Sequence, residues 1–232
     1  MSHPQKPFKK QRIYIIYILL SCFITVTFNS IHSYIINTPV DSSSFIMPLI
    51  AGILFGYLLA KNKLLSKHLK ILADTDLLTG LLNRSMFIHL LKTEILKTSR
   101  YGGTFSVIFI DIDHFKSVND QHGHQAGDKV LSDFSQLIME HNRISDISAR
   151  YGGEEFVILS TSSDIEATTK HAERLRTAVA NHHFETAGHI TCSFGIAEFK
   201  KDEDNYETLL KRADEALYDA KQNGRNRIEV RN

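Results

Sequence analysis

The hydrophobic pattern divides the chain in two. Residues 13–28, IYIIYILLSCFITVTF, and 45–60, FIMPLIAGILFGYLLA, are almost wholly apolar and carry no charge. Each uncharged core is about 16 residues, short of the roughly 20 that cross a bilayer as a helix. The first extends through Ile36 across Asn29 and His32, and the second borrows residues 42–44 and a snorkelling Lys61. From about residue 74 the pattern becomes a series of shorter segments. Helical spacing places Phe87, Leu90, Leu91 and Ile95 on one face of 85–99, and Val130, Phe134, Leu137 and Ile138 on one face of 126–140. Residues 165–180 predict a further helix. So do 206–222, where Leu209, Leu210, Ala213, Leu217 and Ala220 align ahead of an Asn223-Gly224 stop. Between the helices, 105–111 (FSVIFID) and 189–198 predict buried strands, 147–151 and 155–159 flank Gly152-Gly153 as a hairpin, and 226–230 can close the sheet. Helices alternating with strands around one antiparallel hairpin predict an α/β (α+β) fold, a mixed sheet covered by helices.

Charge placement gives the apolar half an orientation. Lys6, Lys9, Lys10 and Arg12 precede the first run, and Lys61, Lys63, Lys67 and Lys70 follow the second. The connection holds no Lys or Arg and one acid, Asp41. The positive-inside rule then places both ends in the cytoplasm and the short loop outside. A secretory signal would need a small-residue cleavage site after the first run and would leave the second unexplained. Two buried soluble helices are the other reading. Residues 61–73, KNKLLSKHLKILA, follow with Leu65, Leu69 and Leu72 on one stripe. That stripe is compatible with a short parallel coiled coil, or with a helix packed on its own domain.

Composition adds exclusions. A net charge of +1 gives no reason to expect nucleic acid as a partner. Cys22 and Cys192 are too few and too separated for a disulfide framework, and each sits in an apolar context that predicts a buried thiol.

The candidate chemistry is acidic. Asp111 and Asp113 alternate onto one face at the end of the apolar strand. Buried there, they would need a partner or a metal; the alternative is an exposed strand end. The tetrapeptide Arg-Tyr-Gly-Gly occurs twice, as RYGGTFSVIF at 100–109 and RYGGEEFVIL at 150–159. A single match of four residues does not make a repeat. In the second copy a two-residue Gly-Gly turn with positive φ would deliver Glu154 to the start of the returning strand, with Glu155 on the other face. If that hairpin pairs with 105–111, Glu154 and Asp111 meet. Two carboxylates suit Mg²⁺, which takes one or two acids plus substrate phosphates; an exposed turn is the plainer alternative. His122-x-His124 resembles a metal pair but lacks a third soft ligand for zinc.

RYGGEEF, with DIDHFKSVND about forty residues before it, closely resembles the GGDEF domain of diguanylate cyclases. The resemblance runs from DTDLLTGLLNR (74–84) through GHQAGD (123–128) and SFGIA (193–197) to KRADEALYDAKQNGRN (211–226), covering roughly residues 72–232. Glu at the third motif position in place of Asp is a common variant in that family. The resemblance implies a nucleotidyl-cyclase or polymerase-palm-like fold that condenses two GTP into cyclic di-GMP and two pyrophosphates, one GTP per subunit of a homodimer. It implies Mg²⁺, with Mn²⁺ as a substitute, on Asp111, the Ile112 carbonyl and Glu154. Glu154 would also be the base for the ribose 3′-hydroxyl, and Asp113 a contributor. Asn119 and Asp128 would read the guanine edge with His124 near the base, while Lys116, Lys221 and Arg225 would meet phosphates. Asn119 and Asp128 have the donors and acceptors that guanine needs. Read without the family, Asn119-Asp120 suits a turn, Asp128 a first helical turn, and Lys116 a solvated surface.

Arg143 and Asp146, as R-x-x-D with five residues between Asp146 and Gly152, match the family's inhibitory site for its cyclic di-GMP product, and Arg174 matches its supporting arginine. Guanidinium groups suit phosphates and stack on guanine; an exposed salt bridge is the alternative. The expected organisation is a membrane anchor at 1–62 with spans at 13–36 and 42–60, a helical linker at 63–75 and a catalytic domain at 76–232. That places a multi-pass protein in a bacterial inner membrane, in contact with lipid, with its N-terminus and catalytic domain cytoplasmic. Two other functions compete. One is a catalytically silent cyclic di-GMP receptor, the other a palm enzyme that hydrolyses nucleotides.

Overall fold

Gly52 and Gly56, one helical turn apart, let two apolar helices approach backbone to backbone. The computed structural model describes residues 7–38 and 41–231, with the side chains of 7–10, 42 and 67–73 outside that description. Helix α1 (Pro7–Ile36) is followed by a 3₁₀ turn (Ser42–Phe45) and helix α2 (Ile46–Asp74). A methyl group on Gly52 would lie 2.8 Å from the Cys22 Cα, and one on Gly56 2.6 Å from the Ile18 Cα. Glycine therefore sets the helix separation, as small residues do between apolar helices. Tyr14 stacks on Tyr57, and the Asn29 side chain donates to the Ser44 carbonyl at 3.2 Å. Outward-facing Leu19, Phe23, Ile31 and Leu54 are exposed. Within these helices, Gln11–Ile36 and Ser43–Ser66 are long and apolar enough to cross a membrane, with mean hydropathies of 1.8 and 1.9. Cys22 is half-buried at the Gly52 contact, a departure from the buried thiol expected; Cys192 is fully buried. Of the leucine stripe after the second span, Leu65 is exposed, and the side chains of Leu69 and Leu72 lie outside the described residues.

The chain separates by its internal contacts into Met1–Ala73 and Asp74–Asn232. The second unit is a six-stranded sheet in the order β1-β3-β4-β2-β5-β6. Its elements are β1 (Leu82–Asn83), α3 (Arg84–Tyr101), β2 (Phe105–Ile112), α4 (Phe115–His122), α5 (His124–His141), β3 (Ile147–Arg150), β4 (Glu155–Thr161), α6 (Ile165–Asn181), β5 (Cys192–Glu198), α7 (Tyr206–Gln222) and β6 (Ile228–Val230). The β1–β3 and β5–β6 pairs are parallel, and the central pairs are antiparallel. The mixed sheet covered by helices follows the sequence pattern.

Strand β2 is buried along its whole length because helices cover both faces. Ile108, Ile110 and Ile112 pack with Phe156, Ile158 and Phe194 against Phe134 and Ile138 of α5 and Leu175 of α6. Val107 and Phe109 pack with Val157 and Leu159 against Phe87 and Leu91 of α3 and Leu217 of α7. Each fully buried large apolar side chain contributes about 1.5–3 kcal/mol of transfer free energy. The starts of α3, α6 and α7 are specified locally. Asn83 caps α3, Asp164 caps α6, and Asn205 forms a reciprocal capping box with Thr208 on α7.

Close packing of α7 on β5 depends on Gly195. A Cβ there would stand 2.1 Å from both the Ala213 carbonyl oxygen and the Leu217 nitrogen. Backbone cannot yield as a flexible side chain does, so Gly195→Ala should destabilise the unit by about 3 kcal/mol. At roughly 2–4 °C per kcal/mol for a domain of this size, its thermal transition, followed by circular dichroism, should fall by about 6–12 °C.

Candidate active site

The two Arg-Tyr-Gly-Gly segments fold differently. In the first, Gly102 and Gly103 have φ of +79° and +105° and stop α3, with the Gly102 N–H donating to the Thr98 carbonyl. In the second, neither glycine adopts positive φ, so the expected two-residue turn is corrected. The hairpin closes over Tyr151, Gly152, Gly153 and Glu154, and the Tyr151 and Gly152 N–H groups both donate to the Glu155 carbonyl. At Gly152 the lack of a side chain leaves room for the Glu155 carboxylate. A Cβ on Gly152 would lie 2.2 Å from the Glu155 Oε2, while Gly153 faces open space. The Arg150 guanidinium fixes the turn, donating to the carbonyls of Gly152 and Gly153 and to the Asp76 carboxylate.

This turn meets the end of β2. The Ile112 N–H donates to the Glu154 carbonyl at 3.4 Å, and Asp111 stands opposite Glu155 in the ladder. Residues directly opposite share a face, so the expected alternation does not carry Glu155 away from Asp111. Burial pushes the Asp111 carboxyl above the usual range, against the pull of Lys221, whose Nζ lies 2.8 Å from Oδ2. Burial and then the charge of Asp111 raise Glu154 and Glu155 too. Among the described residues, no three His, Cys, Asp or Glu side chains form a ready-made metal cage. Asp111 and Glu154, carboxylates close enough for the charge of the first to raise the second, still fit Mg²⁺, which takes one or two acids and completes its shell with other oxygens, water and phosphates.

Asp113 is occupied otherwise. Thr191 Oγ1 donates to it at 2.6 Å, Ser193 Oγ at 2.7 Å and the Asn226 N–H at 3.0 Å. The last bond secures a turn in which Gly224, Arg225 and Asn226 all have positive φ. Non-glycine residues in that region cost about 1–2 kcal/mol each; here the turn brings the Arg225 charge to bear on Asp111.

On the other side of β2, α4 and α5 meet at Gly123, whose φ is +83°. Lys116 and Asn119 are three apart on α4, and His124 and Asp128 four apart on α5, so each pair shares a helix face. Asn119 presses on Gly127, where a Cβ would lie 2.0 Å from its Oδ1. This brings the Asn119 amide beside the residue preceding Asp128. Lys116, His124 and Asp128 are exposed.

Comparison with known proteins places this geometry. The family model described as "Diguanylate cyclase, GGDEF domain" matches residues 73–227. The chain belongs to the GGDEF family. It is 45% identical over 161 residues to the diguanylate cyclase DgcP of Pseudomonas aeruginosa and 42% identical over 159 residues to the diguanylate cyclase DosC of Escherichia coli. These alignments take in 68% and 67% of the chain but only 24% and 34% of the relatives, so the chain spans about a quarter to a third of their length. Among solved structures, the GGDEF domain of DgcB from Caulobacter crescentus, in complex with cyclic di-GMP, has a TM-score of 0.65 at 35% identity, covering 68% of this chain and 95% of that one. The active GGEEF domain of a diguanylate cyclase from Vibrio cholerae gives 0.61 at 34%, covering 64% and 96%.

In this GGDEF domain the R-x-x-D residues form a tight turn before β3. The Asp146 N–H donates to the Arg143 carbonyl at 3.0 Å, and the Arg143 N–H donates to Asp146 Oδ2 at 3.1 Å. Arg143 is exposed, and Arg174 of α6 is near enough for both to act on His171. The sequence reading missed Arg150, Glu155 and His171. Position 155 in the ladder was readable once β4 was paired with β2; the other two depend on tertiary contacts with no local signal.

The raised carboxyls carry a stability consequence. A carboxyl whose folded pKa exceeds its unfolded value favours the fold as pH falls through the folded value and opposes it above. Metal-free Glu154→Gln protein should therefore melt at a higher temperature than the parent near neutral pH. The difference should vanish in acid, where Glu154 is protonated, and melts in chelator across pH would measure it.

Proposed function

We propose that this protein is a membrane-anchored diguanylate cyclase that condenses two GTP into cyclic di-GMP and two pyrophosphates as a homodimer. The reading is carried by one observation: Glu154, in the β3–β4 turn, and Asp111, at the end of β2, come together with Lys221 and Arg225 beside them. Glu154 takes the proton from the ribose 3′-hydroxyl of one GTP, and that oxygen attacks the α-phosphorus of the GTP on the facing subunit, releasing pyrophosphate; repetition closes the ring. Asp111, the Ile112 carbonyl and Glu154 hold Mg²⁺, with Mn²⁺ as a substitute; when bound, it supplies charge that eases ionisation of the hydroxyl and steadies the phosphoryl group. Lys116, Lys221 and Arg225 meet the phosphates. Lys221 exchanges its Asp111 partner for a phosphate as substrate and metal arrive. Asn119 and Asp128 take the guanine edge, with His124 beside the base.

Arg143, Asp146 and Arg174 form an inhibitory site for the product. The two apolar helices anchor the protein in a bacterial inner membrane, with the N-terminus and residues 76–232 in the cytoplasm and residues 63–75 as the linker.

Purified protein in lipid, and the truncated 72–232 fragment, should make cyclic di-GMP from GTP and Mg²⁺, read by chromatography of the products. Glu154→Gln should lower turnover by about 10²–10⁴-fold, the range for loss of a general base. Release of GDP or GMP, or product binding without turnover in a dimeric preparation, would overturn the reading. Gly127→Ala forces Asn119 aside and should raise the KM for GTP with a smaller change in kcat, since it perturbs base recognition and not the reacting groups.

A further inference from the structure

Among the described residues, six buried side-chain polar atoms lack a hydrogen-bond partner, and four of them belong to Asn142, Asp146 and His171. Buried polar atoms without a partner are rare, and each calls for an explanation. The side chains of His171 and Asp146 are 3% and 1% exposed, and His171 Nδ1 lies 3.6 Å from Asp146 Oδ2. That same oxygen accepts the Arg143 N–H, leaving Oδ1 without a donor. His171 sits one helical turn before Arg174 on α6, so it joins the element carrying one arginine to the turn carrying the other.

The groups acting on His171 are Asp146, Arg143 and Arg174, with the backbone of His141 at the end of α5; the His141 ring is engaged with the Leu137 carbonyl. Burial first, and then the two guanidinium charges, draw the pKa of the imidazole below its ordinary range against the pull of Asp146. A ligand with two phosphates at Arg143 and Arg174 offsets those charges. A proton taken up from solvent by His171 would then turn its contact with Asp146 into a charge-assisted hydrogen bond.

We propose that His171 is a positioning residue of the inhibitory site, bracing Asp146 and coupling uptake of one proton to cyclic dinucleotide binding, so that product inhibition tightens as pH falls. This rests on the reading of Arg143, Asp146 and Arg174 as the product site. The sign follows from linkage: an anion that raises the pKa of a nearby histidine binds more tightly below the bound-state pKa, by at most tenfold per pH unit for one proton.

The test is calorimetric titration of the full-length protein in lipid with cyclic di-GMP, from about pH 5.5 to 8, in buffers of different ionisation enthalpy. Wild type should take up protons and bind several-fold more tightly at the acid end. His171→Gln should still bind, with the pH dependence flattened and no proton uptake. Retention of the wild-type slope by His171→Gln, or absence of proton uptake by wild type, overturns the proposal, and the second result requires no variant to fold. Arg143→Ala separates the two levels. If it binds as wild type does, the site reading fails and the proposal with it; if it loses binding while His171→Gln keeps the slope, only the role of His171 fails.

Discussion

The ion pair between Lys221 and Asp111, 2.8 Å long, answers a constraint that shapes the whole second unit. Strand β2 is apolar and buried on both faces up to Asp111, and Asp113 follows just past its end; the two acids are 6% and 5% exposed. Carboxylates at that depth need compensation, and the fold supplies two kinds. Asp113 receives three hydrogen bonds from Thr191, Ser193 and the Asn226 backbone, so its charge is absorbed by structure. Asp111 is paired with Lys221 and lies in the more distant field of Arg225; on the proposed reading a metal and phosphates take their place. The two acids thus divide the work: Asp113 secures the turn that carries Arg225, and on the proposed reading Asp111 keeps an exchangeable partner.

That division depends on α7 as much as on the sheet. Gly195 lets α7 lie against β5, and the end of α7 brings Lys221 to Asp111. The left-handed run from Gly224 to Asn226 then reverses the chain so that Asn226 reaches Asp113 and β6 adds to β5. Two non-glycine residues hold unfavourable backbone conformations there, and such strain persists only where its surroundings over-determine it. The Asp113 hydrogen bond and the Arg176 bond to the Asn226 side chain, at 2.8 Å, provide that support.

What the sequence disclosed and what it hid follow from range. Periodic apolar positions announced α3, α5, α6 and α7 and strands β2 and β4, because burial of one face imposes the period directly. The strand expected at 189–198 begins only at Cys192; a tight turn from Phe184 to Gly188, closed by two backbone hydrogen bonds, precedes it. Helix α4 was not announced, being a single eight-residue segment with Phe115 and Val118 as its inward residues. The glycines show the limit most clearly. Gly102-Gly103 and Gly152-Gly153 share a tetrapeptide, yet the first pair supplies positive φ, while in the second Gly152 supplies room and Gly153 faces open space. In the second case the neighbour that needs the room is Glu155, and the cation that fixes the turn reaches across to Asp76. Letters at 150–153 do not encode either partner.

On the proposed reading, the inhibitory turn and the catalytic turn lie at opposite ends of β3, a strand of four residues. Strand β3 is hydrogen-bonded on both sides, parallel to β1 and antiparallel to β4, and Ala149 at its centre is fully buried. A one-residue slip would exchange its inward and outward side chains and break both ladders, so register is not a variable that a bound ligand can adjust. The Arg143–Asp146 turn is different: its hydrogen bonds are local, Arg143 is exposed, and its buried acid leans on a histidine from another element. Product bound there has little purchase on the geometry of Glu154 and Asp111 within the same domain. Its leverage lies on the surface formed by the turn and α6, where one domain can be held relative to another. A reaction that needs two GTP-bearing domains face to face is vulnerable to that kind of restraint, with every catalytic distance inside each domain unchanged.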